Sequence, residues 1–317
     1  MNMGNNFKMV AKTLFGFEEL LSKELRNLGA SNVVEGTRNV SFEGDTGFMY
    51  KANLCLRTAI KIIKPIHSFR VRDENDLYKK IYAMEWTEYL SVSETFAIDA
   101  TVNSEQFTHS LYVSQKTKDA IVDKFRDTDG TRPDVDVKDP DLRINIHIHN
   151  NDCNVSLDSS GTSLHKRGYR TATNIAPINE VLASGLLLLS GWDGQSDFLD
   201  PMCGSGTMLT EAAMIACNIP ANINRKGFAF EKWTDFDAEL FEKIIDSSLK
   251  KTREFHHKII GYDKAPSAVR KAQDNIDNAN LTDYITVERK DFFKTDKPTE
   301  GTLHMCFNPP YGERLDI

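Results

Sequence analysis

The chain has 317 residues, is 40% hydrophobic and 27% charged, and contains 18 glycines and 10 prolines. This composition is typical of a folded globular protein and excludes collagen-like, disulfide-scaffold and disordered chains. The net charge of −7 has the wrong sign for a protein that adheres to nucleic acid through bulk charge alone. No apolar run approaches the roughly 20 residues that a bilayer-spanning helix needs, and no signal-peptide pattern opens the chain. We expect a cytoplasmic protein of two or three domains without a membrane span.

The first half of the chain predicts two small α+β units. In the first unit, residues 1–68, Gly29 is expected to end an amphipathic helix. In the second unit, residues 69–160, Asp73 is expected to cap a helix. The alternating apolar and polar residues at 143–158 predict a β-hairpin that closes this unit.

Two basic clusters interrupt this generally acidic sequence. Between residues 51 and 72 there are six lysines and arginines, together with His67, and no acidic residue. The second cluster lies at residues 165–170, between the second unit and the rest of the chain. Clustered cations of this kind can contact a nucleic-acid backbone, although basic linkers are also common without that role. The candidate RNA contacts are Lys61, Lys64, Arg70, Arg72, Lys166, Arg167 and Arg170.

From about residue 165 onward, short apolar strands alternate with helices. Strands are predicted near 198–199, 258–263, 285–289 and 303–307, with helices at 207–216 and 267–279. This alternation of strands and helices predicts a Rossmann-like, doubly wound parallel sheet. Residues 218–257 interrupt it as an insertion that carries several aromatic residues.

A glycine-rich turn, Asp200-Pro-Met-Cys-Gly-Ser-Gly-Thr207, follows one of these strands and opens a helix. It lacks the lysine of a phosphate-binding P-loop. A dinucleotide site would need an acidic residue about 20 positions on, but the next acid at a strand end, Asp263, lies 59 positions after Gly204. The turn therefore favours a nucleoside ligand without a pyrophosphate, whereas Gly-x-Gly alone would also fit a turn without function.

A second motif, Asn308-Pro-Pro-Tyr311, ends a later apolar strand. The first proline keeps Asn308 out of helical geometry, and the two prolines stiffen the turn. A fixed Asn308 could accept a hydrogen bond from an exocyclic amine, and Tyr311 could stack on a base. A surface Asn-Pro turn is the alternative when this motif stands alone. Its pairing with the glycine-rich turn favours the functional interpretation.

Both motifs resemble those of class I S-adenosylmethionine-dependent methyltransferases that act on amino groups of nucleobases. The segments Leu164-His-Lys-Arg-Gly-Tyr-Arg170 and Ala176-Pro-Ile-Asn-Glu180, downstream of a THUMP-like region, are similar to the bacterial 23S rRNA guanine-N2 methyltransferase family. The resemblance implies a ferredoxin-like unit (1–68), a THUMP-like RNA-binding domain (69–160) and a class I methyltransferase domain (165–317).

The resemblance also implies roles for individual residues. Asp263 would bind the ribose hydroxyls of the cofactor, and Asp291 the adenine amino group, although a helix cap is nearly as good an interpretation of Asp291. Asn308 would be catalytic, in a turn completed by Pro309, Pro310 and Tyr311. The residues expected around the amino-acid part of S-adenosylmethionine are Asp200, Gly204, Gly206, Thr207, Asn179 and Glu180.

The expected reaction is methyl transfer to the exocyclic N2 of a guanine, with 23S rRNA as partner. Methylation of a pyrimidine carbon generally calls for a cysteine, and the Asn308 turn contains none. No metal is expected, since the five cysteines form no CxxC pair and His147 and His149 lack a third ligand. A tRNA guanine-N2 methyltransferase, a DNA adenine-N6 methyltransferase and a non-catalytic RNA-binding assembly factor stay open as alternatives, and the oligomeric state is not predicted.

The chain ends six residues after Tyr311. The fold of the family normally continues beyond this turn, by about 60 residues at typical element lengths. We therefore expect the sequence to be a fragment with an incomplete methyltransferase domain.

Overall fold

The computed structural model describes residues 6–171 and 177–309, and within them the chain forms an eight-stranded and a four-stranded sheet. The expectations at Ala176, Pro310 and Tyr311 lie outside the described residues. In chain order, the helices and strands are β1 (Phe7–Thr13), α1 (Glu18–Leu28), β2 (Ser31–Gly36), β3 (Asn39–Gly44), α2 (Thr46–Cys55), β4 (Ala59–Arg70), α3 (Glu74–Tyr82), β5 (Thr95–Asn103), α4 (Ser110–Asp129), β6 (Asp134–Val135), β7 (Leu142–His149), β8 (Asp152–Asp158), α5 (Glu180–Leu189), β9 (Asp197–Asp200), α6 (Thr207–Ala216), α7 (Ala238–Leu249), β10 (Ile259–Asp263), α8 (Pro266–Asn278), β11 (Ile285–Arg289) and β12 (Leu303–Met305).

The eight-stranded sheet spans both N-terminal units, with strand order β2-β3-β1-β4-β8-β7-β5-β6. Strand β4 joins the units because its first half pairs with β1 and most of its length pairs with β8, both antiparallel. The hairpin predicted at 143–158 is confirmed as β7 and β8, with Ile146 opposite Val155. The two units therefore share one continuous sheet.

The helix ends in this half follow the local sequence signals. Gly29 ends α1 in the left-handed conformation, with φ of 106°, which glycine adopts at little cost. The carboxylate of Asp73 accepts a hydrogen bond from the Asp76 amide and caps α3 as predicted. Buried residues such as Leu21, Ile81 and Phe125 form one core with apolar residues of the sheet.

The four-stranded sheet has the order β11-β10-β9-β12, and all of its pairings are parallel, as predicted. Its main core includes Leu187 of α5, Leu209 of α6 and Ile276 of α8. Gly261 lets helix α6 approach closely, because a Cβ at this position would lie 2.4 Å from Leu209 Cδ1. After β9, the chain places β10 and then β11 on one side of β9, and it then places β12 on the other side. This reversal is the place where doubly wound sheets bind ligands.

The insertion at 218–257 packs against the N-terminal unit. It forms a 3₁₀ turn at Ala229–Lys232 and then helix α7. The Phe230 ring stacks on Tyr50 of α2 at a centroid distance of 4.4 Å. Phe228, Phe230 and Phe241 are buried in the core of the N-terminal half. The insertion thereby binds the two halves of the chain together.

Candidate active site

The four parallel strands bring the predicted site residues to one edge of the sheet. Asp200 ends β9 and Asp263 ends β10, whereas Asp291 follows β11 and Asn308 follows β12. Strands β9 and β12 are neighbours, with Leu199 opposite Met305. Because parallel strands end at the same edge, the segments that follow them lie side by side. The structure therefore gathers these motifs, although 108 residues separate Asp200 from Asn308.

The segment from Asp200 to Thr207, which we call the cofactor loop, depends on two glycines in left-handed conformations. Gly204 has φ of 56° and Gly206 has φ of 79°. A Cβ on Gly206 would also lie 3.1 Å from the Ala272 Cβ of α8. The loop leads directly into α6, so backbone amides at the start of a buried helix lie beside it. This arrangement suits a polar or negatively charged part of a ligand.

Two carboxylates lie at the cofactor loop: Asp200 is its first residue, and Asp263 contacts it from the end of β10. Asp263 Oδ2 accepts a hydrogen bond from the Gly204 amide at 3.1 Å. Asp200 is only 2% exposed, and one of its oxygens accepts a hydrogen bond from the Met202 amide. Burial, assisted by the charge of Asp263, raises the pKa of Asp200 to about 7. A positively charged ligand at this position would favour the ionised form.

The chemistry of these groups fits S-adenosylmethionine, whose amino and sulfonium groups are positive and whose ribose carries two hydroxyls. Buried or half-buried carboxylates can accept hydrogen bonds from both kinds of group. Among the described residues, no group of three His, Cys, Asp or Glu side chains could hold a metal ion. The residues that fit the cofactor are the loop glycines and the carboxylates at the strand ends.

Asn179 and Glu180 are placed at the start of α5. Asn179 caps this helix by accepting hydrogen bonds from the Val181 and Leu182 amides. Glu180 is 3% exposed and forms an ion pair with Arg170, with Nε and Oε1 3.3 Å apart. Burial raises the pKa of Glu180 to about 7, although Arg170 opposes this shift. Within the described part of the chain, Glu180 Oε2 has no hydrogen-bond partner.

Asp291 has a capping role, which was the structural alternative to a contact with the cofactor. Its carboxylate accepts a hydrogen bond from the Phe293 amide and caps a 3₁₀ turn at Phe292–Lys294. The contact of Asp291 with the adenine amino group stays a prediction, which the cap neither requires nor prevents.

The turn that begins at Asn308 is described as far as Pro309. Asn308 is half-buried and Pro309 is exposed. Cys306, two residues before Asn308, is partly buried, and burial together with the charge of Asp200 raises the pKa of its thiol. The pairing of β12 with β9 places the end of β12 beside the cofactor loop. A thiol with a raised pKa is a poor nucleophile, which agrees with chemistry that needs no covalent intermediate.

The predicted RNA contacts differ in their availability. Arg70 and Arg72 have side chains that are 80% and 85% exposed, and Lys166 is also exposed. Lys64 lies over the Phe7 ring, 4.6 Å from its centroid. Lys61 is largely buried and pairs with the fully buried Asp158 at 2.6 Å, so its charge is already neutralised.

Two of the predicted RNA contacts are wrong. Arg167 is fully buried, and its guanidinium donates hydrogen bonds to the Leu164 and Arg57 carbonyl oxygens. Arg170 is turned inward to Glu180 and Thr207. The sequence predicted that both residues belong to an exposed basic linker. They face inward because the linker crosses the interface between the two halves of the chain.

One residue that supports the cofactor loop was not among the predicted site residues. Asn275 of α8 is fully buried, and its side-chain amide donates a hydrogen bond to the Ser205 carbonyl oxygen. Its oxygen accepts a hydrogen bond from the Thr171 amide. Asn275 is one of several polar residues of this helix and carries no sequence signal, because its partners lie 70 and 104 residues away.

Comparison with known proteins agrees with this architecture. A ferredoxin-like domain model matches residues 8–63, a THUMP domain model residues 71–158, and an RMKL-like methyltransferase domain model residues 167–317. A Synechocystis protein named as a candidate RNA methyltransferase is 36% identical, over 95% of this chain and 78% of its own length. Ribosomal RNA large subunit methyltransferase K/L of Desulfotalea psychrophila is 35% identical, and the match covers 98% of this chain but 44% of the relative.

A solved structure shows the same fold with a cofactor product bound. A candidate methyltransferase complexed with S-adenosylhomocysteine superposes with a TM-score of 0.86 at 31% identity, over 98% of this chain and 82% of that one. Within the residues that the structure describes, no helix has both the length and the apolar character that a membrane span requires. The chain belongs to the THUMP-containing, RMKL-like family of class I S-adenosylmethionine-dependent RNA methyltransferases.

Proposed function

We propose that this chain transfers a methyl group from S-adenosylmethionine to the exocyclic N2 of a guanine in 23S rRNA. The observation that carries the proposal is the meeting of the cofactor loop and Asn308 at the ends of the adjacent parallel strands β9 and β12. The similarity to a large-subunit rRNA methyltransferase supports the substrate class. The matched ranges of the family models support domain boundaries at 1–68, 69–160 and 165–317.

In this proposal, the residues of the chain act mainly by positioning. When bound, S-adenosylmethionine supplies an electrophilic methyl group. The Asn308 side-chain oxygen accepts a hydrogen bond from the exocyclic amine and so directs the nitrogen lone pair, while Pro309 limits the backbone freedom of Asn308. Asp263 and Asp200 hold the cofactor from the other side of the crevice. Alignment of two reactants can supply a large part of a rate enhancement without a covalent intermediate.

The N-terminal half would capture the RNA. Arg70 and Arg72 extend into solvent at the end of β4, next to the start of the THUMP domain, and Lys166 is exposed on the linker. Such cations supply salt-dependent affinity for a phosphate backbone. All five cysteines are free thiols, which is typical of the reducing cytoplasm, where this activity is proposed to take place.

The test is nucleoside mass spectrometry of separately purified large-subunit rRNA, small-subunit rRNA, tRNA and genomic DNA. Cells with the gene, without it, and complemented with Asn308→Ala would be compared. Loss of N2-methylguanosine from large-subunit rRNA alone, restored by the wild-type gene but not by Asn308→Ala, is the expected result. Loss of N2-methylguanosine from tRNA would identify tRNA as the substrate instead. Loss of N6-methyladenine from DNA would identify a DNA adenine as the target, and no change in any pool would favour a non-catalytic role.

A further inference from the structure

Helix α6 starts at the cofactor loop and is buried along its whole length, from Thr207 to Ala216. A buried helix cannot adjust its position without disturbing its neighbours, so the contacts along it determine where the loop lies. Three arginines from outside the glycine-rich and Asn-Pro-Pro-Tyr motifs contact this helix at its start, its middle and its end.

At the start of α6, Arg170 joins two helix termini. Its Nη2 donates hydrogen bonds to Thr207 Oγ1 and to the Ile178 carbonyl oxygen, both at 2.7 Å. Its Nε lies 3.3 Å from Glu180 Oε1 at the first residue of α5. One planar guanidinium thus links the first residue of α6 to the start of α5.

In the middle of α6, Arg167 and Glu211 form an ion pair in which both side chains are fully buried, with Nε and Oε1 3.6 Å apart. The Glu211 carboxylate also accepts hydrogen bonds from Tyr169 Oη at 2.9 Å and from Ser184 Oγ. Removing one partner of such a pair would leave an uncompensated buried charge. This ion pair and the hydrogen bond from Tyr169 both connect the linker to α6.

At the end of α6, Arg57 reaches across from the N-terminal unit. Its Nη2 donates hydrogen bonds to the carbonyl oxygens of Met214 at 3.0 Å and Ile219 at 2.7 Å. A cation at the C-terminal end of a helix also interacts favourably with the helix dipole. The backbone amide of Arg57 is held by Glu24 of α1, and its carbonyl oxygen accepts a hydrogen bond from Arg167. The N-terminal unit is thereby connected to both the linker and α6.

We propose that Arg57, Arg167 and Arg170 are positioning residues for the cofactor, which hold α6 and hence the cofactor loop in the geometry that binds S-adenosylmethionine. The RNA-capturing half of the chain and the linker then contribute to cofactor affinity without touching the cofactor. This inference rests on the proposed function, because it takes S-adenosylmethionine as the ligand of the loop.

The experiment measures S-adenosylmethionine binding by calorimetry and thermal stability in parallel, on the full chain. Arg170→Gln is expected to weaken binding about tenfold or more, since it removes charge-assisted hydrogen bonds at the start of α6. Arg170→Lys keeps the charge opposite Glu180 but not the planar fork, so it is expected to restore part of the affinity. Arg126→Gln is the matched control, because Arg126 is an exposed arginine of α4 that pairs with Asp123 on the helix surface.

In steady-state assays, the Arg170 variants are expected to raise the KM for S-adenosylmethionine more than they lower kcat. Folded Arg170→Gln that binds the cofactor within twofold of the wild type would overturn the inference, whatever its thermal stability. If Arg170→Gln does not fold, Arg170→Lys takes its place, and wild-type affinity in this variant would contradict the role of the planar guanidinium in positioning α6. A wild-type chain that does not bind S-adenosylmethionine would refute the proposed function itself, which is a different result from equal binding by all variants.

Discussion

Asp263 holds the cofactor loop through the backbone of Gly204. The carboxylate accepts hydrogen bonds from the Gly204 amide at 3.1 Å and, through its other oxygen, from the Ala265 amide at 2.9 Å. The same side chain is the one proposed to bind the ribose hydroxyls. A carboxylate oxygen has two lone pairs, so it can hold the loop and still accept a hydrogen bond from a ligand. The proposed ribose contact and the glycine loop therefore depend on one side chain, 59 positions from Gly204.

Replacement of Asn308 by alanine is expected to abolish methyl transfer while S-adenosylmethionine still binds. The substitution removes the proposed acceptor for the exocyclic amine but leaves the glycines and carboxylates of the cofactor loop intact. Transfer of radiolabelled methyl groups to RNA and calorimetry with the cofactor would be measured on the same preparation. Turnover retained by this variant would rule out the catalytic assignment, and loss of cofactor binding would indicate a structural defect.

Asp200→Asn is expected to stabilise the cofactor-free protein at pH 8 more than at pH 5. The pKa of Asp200 is raised to about 7 in the folded chain, from an ordinary value of 3.8, so the folded state favours the protonated carboxyl. The stability this group contributes at low pH is therefore lost as pH rises from about 4 to 7, by up to about 4 kcal/mol. Thermal unfolding of both proteins from pH 5 to 8 would test this, and a melting-temperature difference independent of pH would contradict it.

Neutralising Arg70 and Arg72 together, each to glutamine, is expected to weaken RNA binding without changing cofactor affinity. Both side chains are more than three-quarters exposed. If each contacts a phosphate, the slope of log affinity against log salt concentration should fall by about one for each arginine removed. Binding titrations at several salt concentrations would show this, with Arg126→Gln as the control. An unchanged slope would remove this pair from the RNA-binding surface.

Gly168→Ala is expected to destabilise the chain far more than Gly130→Ala. Both glycines are left-handed, with φ of 99° and 71°, so an alanine is strained at either position. A Cβ on Gly168 would lie 1.9 Å from the Asn224 carbonyl oxygen, whereas a Cβ on Gly130 would have no atom within 4 Å. Conformational strain alone costs about 1–3 kcal/mol. Denaturant unfolding should show a loss in this range for Gly130→Ala and a larger one for Gly168→Ala, and equal losses would argue against the close packing of the linker.

The local features of the fold could be predicted from the sequence because their causes lie within a few residues. Helix α6 begins and ends where the pattern predicted, and Gly29 and Asp73 occupy the helix ends expected of them. The alternation of short apolar strands with helices predicted the parallel sheet, because connections between parallel strands follow narrow rules. The order of strands also brought the glycine-rich turn and Asn308 to the same edge.

Whether each basic residue of the linker is exposed or buried could not be predicted from local sequence signals. Arg167, Arg170 and the neighbouring Lys166 are equally basic in the sequence, yet only Lys166 is exposed. Their environment depends on how the N-terminal half packs against α6, through partners such as Glu211 that are distant along the chain. The support of Ser205 by Asn275 arises in the same way.

The sequence by itself therefore determined the class of fold, the two motifs and the kind of chemistry, since each depends on residue types at short spacing. Only the tertiary structure decided which charged groups face solvent and which are buried as pairs. A charge is costly to bury unless a partner and hydrogen bonds compensate it, and such partners come from other elements brought close by folding. For this chain, that distinction separates the exposed Arg70 and Arg72 from Arg167, which is buried in a pair with Glu211.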